Sequence, residues 1–427
     1  MPALELAGWL ARLERLHPSE IDMGLDRVAE VAARLAVLEP APLVFTVTGT
    51  NGKGSTCAAL DSLLRHAGLR SGCYASPHLV QYNERVSIDG QPVSDADLCA
   101  AFEAIDQARG AISLTYFEFG TLAALWLFKR AELDAVVLEV GLGGRLDAVN
   151  VVDADVAVVT SIGLDHSDYL GDDRDSVGYE KAGILRQGRP LVCSETDLPP
   201  RFLHQVNALQ VSMLQRGREY GWTSVGEGRW ALFGKSAEQS GRHIDVPPVR
   251  LPRDNLCSAV QAFWAAGLDM SDEKIAAALV DAFVPGRLDQ RTLLWKGQSR
   301  ELCLDVGHNP QAAAFLAAHL ASRPVRRRAV FGLLADKNFD GILKQLRSQF
   351  SSWAVAPLPS PRSYVAQDLA EQLSAAGETA AAFASIGEAI AYQLDNSTAE
   401  TEIVIFGSFF CVSEAILWLN DQTGGDR

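Results

Sequence analysis

The run Leu43-Val-Phe-Thr-Val-Thr-Gly-Thr-Asn-Gly-Lys-Gly-Ser-Thr56 constrains this chain more than any other stretch. An apolar, β-branched strand leads into a glycine-rich turn, and a helix is expected to open at Ser55 or Thr56. Gly49, Gly52 and Gly54 let backbone N–H groups curl toward one point. Lys53 adds a mobile positive charge, and the helix start adds a partial one. Together these suit the phosphates of a nucleotide, with Ser55 or Thr56 placed to face Mg²⁺. The pattern departs from the standard P-loop, because Gly54 separates Lys53 from the hydroxyl residues and no glycine stands five positions before Gly52. An ordinary strand-to-helix turn is the competing reading.

A length of 427 residues predicts two or three domains, and 48% apolar with 21% charged residues fits a globular chain with a large core. The formal net charge of -15 argues against a nucleic-acid backbone or an anionic membrane as partner. It does not argue against a small anionic substrate, since nearby cations outweigh distant charge. Seven cysteines stand at 57, 73, 99, 193, 257, 303 and 411 with no C-x-x-C pair, so the expected compartment is the reducing cytoplasm. Met1 to His17 reads as an amphipathic helix and not a signal peptide, and no apolar run reaches the ~18 residues of a membrane span. Nothing demands an oligomer, so a monomer is expected.

Strand-like runs are expected near 70–75, 134–140, 155–160 and 190–193. The continuous β-branched runs among them belong to strands buried on both faces of a parallel sheet. Val86–Gly90 reads as a hairpin fragment, and Glu219–Val246 as an antiparallel appendage. Val284-Pro-Gly-Arg287 is the best linker. Beyond it, alternation restarts, with strands near 301–305, 328–333, 353–356 and 402–406, and helices near 310–321, 339–347, 364–376 and 410–419. The fold class is therefore α/β: a P-loop-type, mostly parallel sheet domain over 1–284 with a small antiparallel appendage, then a smaller Rossmann-like α/β domain over 285–427. The tail after Asn420 is polar and expected to fray.

Several candidate residues fall where strands of the first sheet end, the edge at which open α/β sheets bind ligands. Glu139 is the only charge in its strand, so burial demands a partner: Mg²⁺, or else Lys53 or Arg145. His166 reads either as a nitrogen ligand to a hard ion or as a loop histidine, and Mg²⁺ chemistry favours the second. Ser76 and His78 could face the phosphates. Lys181 either pairs with a carboxylate or, if desolvated and neutral, takes up CO₂ as a carbamate. In the second domain, Leu302-Cys-Leu-Asp-Val-Gly-His-Asn-Pro310 repeats the strand–turn–helix grammar. Asp305 could hold a ribose hydroxyl and Arg287 a phosphate, against roles in the linker and cap. Asn255 is a helix cap or an adenine reader.

Val47–Thr56, Ser76-Pro-His-Leu79, Leu138–Asp147, Leu164-Asp-His166, Glu180-Lys-Ala-Gly183 and Asp305–Pro310 together resemble the bacterial dihydrofolate synthase/folylpolyglutamate synthases of the Mur ligase superfamily. The likeness runs from Ile21 to Phe409. It implies an ATP-dependent amide ligase that adds L-glutamate to dihydropteroate, and to the terminal glutamate of reduced folates, through an acyl phosphate. It implies that Thr50, Asn51, Gly52, Lys53, Gly54 and Ser55 cradle ATP. Asn255, Arg287, Asp305 and His308 would complete that site from the far side of a cleft closing about Val284–Arg287. Ser76, Glu139 and His166 would surround Mg²⁺, with a monovalent cation as an optional further ion. Lys53, His166 and a carbamylated Lys181 would serve catalysis, and Asp22, Met23, Gly24, Leu25, Thr115, Tyr116, Phe117, Glu118 and Leu146 would line the pterin pocket. Core packing is the alternative for the Tyr116–Phe117 pair. Two other functions compete: a Mur-type ligase acting on a cell-wall nucleotide precursor, and a nucleotide-hydrolysing switch or binding module.

Overall fold

The computed structural model describes residues 4–19, 21–226, 229–236 and 240–423. Met1–Ala3 of the expected first helix, Glu20 of the polar connector, five appendage residues (227–228 and 237–239) and the tail 424–427 lie outside the described residues. The chain forms two compact units, Met1–Phe283 and Val284–Arg427.

The first unit is built on an eight-stranded sheet. Its strands are β1 (Leu43–Thr48), β2 (Ser71–Tyr74), β3 (Val86–Ile88), β4 (Gln91–Pro92), β5 (Ala135–Glu139), β6 (Val156–Val159), β7 (Pro190–Cys193) and β8 (Ser212–Gln215). The spatial order is β4-β3-β2-β5-β1-β6-β7-β8. β1 pairs in parallel with β5 on one side and β6 on the other, with Val47 opposite both Glu139 and Val158. Its near-continuous apolar sequence follows, because helices cover both faces of such a sheet. Only the β2–β3–β4 corner is antiparallel. Three further strands, β9 (Gly221–Gly226), β10 (Arg229–Lys235) and β11 (Ser240–Val246), form the separate antiparallel sheet that the sequence led us to expect.

The second unit carries β12 (Asp289–Trp295), β13 (Gln298–Asp305), β14 (Arg326–Phe331), β15 (Trp353–Val355), β16 (Ala380–Ala382) and β17 (Thr401–Phe406), in the order β12-β13-β17-β14-β15-β16. All pairs are parallel except the β12–β13 hairpin. Its own core centres on Phe331, Phe350, Trp353 and Phe406, with the Phe331 and Phe406 ring centroids 4.9 Å apart. The C-terminal helix continues past the expected frayed point at Asn420 and ends at Gln422. All seven cysteines are free thiols, six of them buried and Cys99 part-buried. Among the described residues no helix is long and apolar enough to cross a membrane.

Candidate active site

The turn after β1 is fastened to the segment after β6. Thr50 N donates to Ser161 O at 3.0 Å, Asn51 N to Ser161 Oγ at 2.9 Å, and the Thr160 hydroxyl to Asn51 O at 2.7 Å. Thr50 Oγ1 donates to Gly163 O and accepts from Gly163 N, both at 2.9 Å. The helix opens at Lys53, not at Ser55 or Thr56 as expected, because Gly52 adopts φ 92° and ends the turn earlier. Gly52 has a second reason to lack a side chain: a Cβ there would lie 2.6 Å from Asn255 Oδ1. Asn255 therefore stands directly against the turn, within the same unit, and not across from it. Lys53 Nζ donates back to Gly49 O at 2.8 Å. Of the two candidate hydroxyls, that of Thr56 is bonded to Gly52 O at 3.0 Å, which leaves Ser55 for a ligand.

Glu139, at the end of β5, accepts from Ser76 N at 3.1 Å. Its carboxylate oxygens lie 3.7 and 3.8 Å from where a Gly54 side chain would begin, so it sits over the helix start. Ser76 and Glu139 thus come together beside the turn. His166 lies on an exposed loop with φ 52°, starting the short helix Ser167–Leu170. Among the described residues no three His, Cys, Asp or Glu side chains converge on one point. A single carboxylate beside a glycine-rich turn still fits Mg²⁺, which keeps several waters and draws much of its oxygen shell from phosphates.

The loop Gly141–Asp147 closes the site at the end of β5. Buried Asp147 accepts from Leu142 N at 2.9 Å and Val149 N at 3.1 Å, and burial raises its pKa to about 6. Arg145 binds Glu180 Oε1 at 2.8 Å, tying the loop to the helix Arg174–Ala182. That helix presents Lys181, which is 2% exposed and whose side chain makes no ion pair or hydrogen bond among the described residues. Burial, then repulsion from Lys53, lowers its pKa to about 7. Among the described residues no carboxylate bonds to the Lys181 amine: Glu180 is engaged with Arg145, and Asp165 and Asp147 attract it without an ion pair.

The residues expected to line a pterin pocket are gathered in this unit. Thr115 and Glu118 form a reciprocal capping box at the start of the helix Tyr116–Ala131. Buried Glu118 also accepts from Arg27 at 3.0 Å, and Arg27 reaches Asp22 at 2.7 Å. Both Glu118 oxygens are thus engaged within the protein. The Phe117 ring packs where a Gly141 side chain would stand, 2.7 Å from that Cβ position, and the Met23 methyl lies 3.9 Å from the corresponding point on Gly143. Phe117 and Tyr116 are only part-buried, whereas Phe119 on the next turn is fully in the core.

In the second unit, buried Asp305 accepts from Gly307 N at 2.8 Å and Leu288 N at 3.1 Å, and burial raises its pKa. Arg287 lies over the Phe409 ring at 5.9 Å, and His308 packs on the same ring at 6.1 Å.

Residues 47–193 match the Mur ligase middle domain, and residues 286–409 match the glutamate ligase domain of Mur ligases. The dihydrofolate synthase/folylpolyglutamate synthase of Escherichia coli K12 is 44% identical over 427 residues, covering 100% of this chain and 98% of the relative. The chain belongs to the dihydrofolate synthase/folylpolyglutamate synthase family. Among solved members, the E. coli FolC complex with DHPP and ADP superposes with a TM-score of 0.92 at 43% identity, covering 99% of each chain. A bifunctional folylpolyglutamate synthase/dihydrofolate synthase with Mn, AMPPNP and L-glutamate bound gives 0.87 at 43% identity, covering 98% of each chain. Within this family frame, two residues of the site escaped sequence reasoning. Arg27 looks like any surface helix arginine until Asp22 and Glu118 are brought to it. Asp147 closes the Gly141 loop by accepting two backbone N–H groups, and the only signal for that was its place at the end of a glycine-rich run.

Proposed function

We propose that this protein uses ATP to join L-glutamate to dihydropteroate, forming dihydrofolate, and to the terminal glutamate of reduced folates. The observation that carries this reading is one loop, Gly141–Asp147, bordered on one side by the Glu139 carboxylate over the phosphate turn and on the other by Phe117 and Met23. The acceptor carboxylate would attack the γ-phosphorus of ATP, breaking the bond to ADP and leaving an acyl phosphate. The amine of glutamate would then attack the acyl carbon, expelling phosphate and losing a proton. Thr50, Asn51, Gly52, Gly54 and Ser55 are assigned to the phosphates through backbone N–H groups and the Ser55 hydroxyl. Lys53 would neutralise charge on the group in transfer. A bound divalent ion, with a monovalent cation as an optional second ion, would offset phosphate charge, and Ser76, Glu139 and His166 are the residues assigned to hold the divalent one. Asn255, Arg287, Asp305 and His308 are assigned to the nucleotide, and Asp22–Leu25, Thr115–Glu118 and Leu146 to the pterin.

Lys181 is assigned as a carbamate: its neutral amine adds to CO₂, forming an N–C bond and releasing a proton. Deep burial and a depressed pKa favour the neutral amine this requires. With its free, mostly buried thiols, the protein is assigned to the cytoplasm, as a monomer. The test is ADP formation with dihydropteroate and, separately, tetrahydrofolate, each with and without L-glutamate. ADP should form in proportion to product and only with all substrates, and Lys53→Ala should abolish it in a folded protein. ADP release that ignores glutamate and pterin would overturn the ligase reading in favour of a nucleotide switch.

A further inference from the structure

Arg85 stands apart from the ion-paired arginines of the first unit. Arg27, Arg109 and Arg145 are part-buried and each faces a carboxylate. Arg85 is equally part-buried, yet no ion pair to it is recorded among the described residues. Its Nε donates to His78 Nδ1 at 2.8 Å. Its Cζ lies 5.3 Å from the Tyr82 ring centre and 5.5 Å from that of Tyr116. Burial pushes the Tyr74 hydroxyl pKa up, and the nearby Arg85 charge pulls it partly back. The adjacent acid, Glu84, is engaged by the backbone N–H groups of Leu79, Val80 and Gln81. Aromatic faces offset part of the desolvation of a cation, but a part-buried guanidinium without an anion remains under-compensated.

The position is as telling as the isolation. His78 lies two residues beyond Ser76, whose N–H touches Glu139. Tyr116 precedes Phe117, whose ring packs on the Gly141 loop. Arg85 bridges these two points, between the carboxylate over the phosphate turn and the flat rings of the pterin wall. With Nε committed to His78, its two terminal nitrogens remain as a fork suited to a carboxylate. Resting on the folate reading above, we propose that Arg85 is a specificity-determining residue that binds a carboxylate of the pterin-bearing acceptor, its fork aimed by His78, Tyr82 and Tyr116.

Two carboxylates could be the one held: the reacting group of dihydropteroate, or the α-carboxylate on the glutamate tail of a reduced folate. Steady-state kinetics of Arg85→Gln and Arg85→Lys with each acceptor separate them. Arg85→Gln should raise the acceptor KM about tenfold or more, while the KM for ATP stays within about twofold. Arg85→Lys should recover part of the loss. An effect on both acceptors assigns the reacting carboxylate; an effect on tetrahydrofolate alone assigns the tail. A second measurement needs no variant: where the reacting carboxylate is the one held, the unaltered enzyme should bind pteroate about tenfold or more tighter than its carboxamide by titration calorimetry. An unchanged KM for both acceptors in a folded Arg85→Gln would overturn the proposal, whereas equal affinity for acid and amide beside a KM effect confined to tetrahydrofolate assigns the tail. If the unaltered enzyme formed no ADP with either acceptor, the folate reading itself would fall before any variant was compared.

Discussion

Lys181 is held far from its ordinary chemistry by burial and by the second lysine beside it. Its folded pKa of about 7 lies below the usual lysine value, so between that pH and the ordinary lysine range the unfolded chain holds the extra proton. Its contribution to stability therefore rises with pH across that window and is lost on acidification through it. Lys181→Met keeps the volume and removes the charge. In CO₂-free buffer the variant should be more stable than the parent at pH 6, by on the order of a few kcal/mol, with the gain fading toward pH 10. Urea titrations at several pH values check this, and a pH-independent difference would mean that the amine is already neutral or solvated. Ligation should fall in the same variant.

At the scale of the element, the turn between β1 and its helix depends on Gly52. An alanine there would have to hold φ 92° and intrude on the Asn255 amide, 2.6 Å from the new atom. Gly52→Ala should cost about 1–3 kcal/mol of stability and weaken nucleotide binding. Adding Asn255→Ala should restore part of the stability, because the two changes share one contact. Strict additivity in that double-mutant cycle would show that the amide yields freely. The turn was legible in the sequence because its glycines, lysine and flanking apolar strand are contiguous, as were β1, β5 and β6, whose two buried faces are apolar apart from Thr46, Thr48 and Glu139. What escaped was what packing decides. β16 is three alanines with no strand signature, and β12 carries Asp289 and Arg291 among its apolar residues, so neither was expected. β8 and the helix Ile386–Asp395 were missed as well. The T-x-x-E spacing of Thr115–Glu118 is a capping box that starts the helix Tyr116–Ala131. The site itself was readable as separate motifs. That Asn255 rests on Gly52, and that Arg27 joins Asp22 to Glu118, depends on residues tens of positions apart meeting in space.

At the scale of the whole molecule, each unit has its own hydrophobic core, one running from Trp9 to Val206 and the other from Leu288 to Phe406. Independent cores predict unfolding that is not a single all-or-none event. Scanning calorimetry should give a van't Hoff enthalpy below the calorimetric one, with Mg·ATP moving the transition of the unit it binds. Coincident enthalpies and one sharp transition would contradict this.

The lysine that folds back onto the Gly49 carbonyl has a consequence for binding. The bond spends one of the ammonium's three N–H groups and leaves two, so the charge is parked at the mouth of the turn and gives up little further side-chain freedom when an oxyanion arrives.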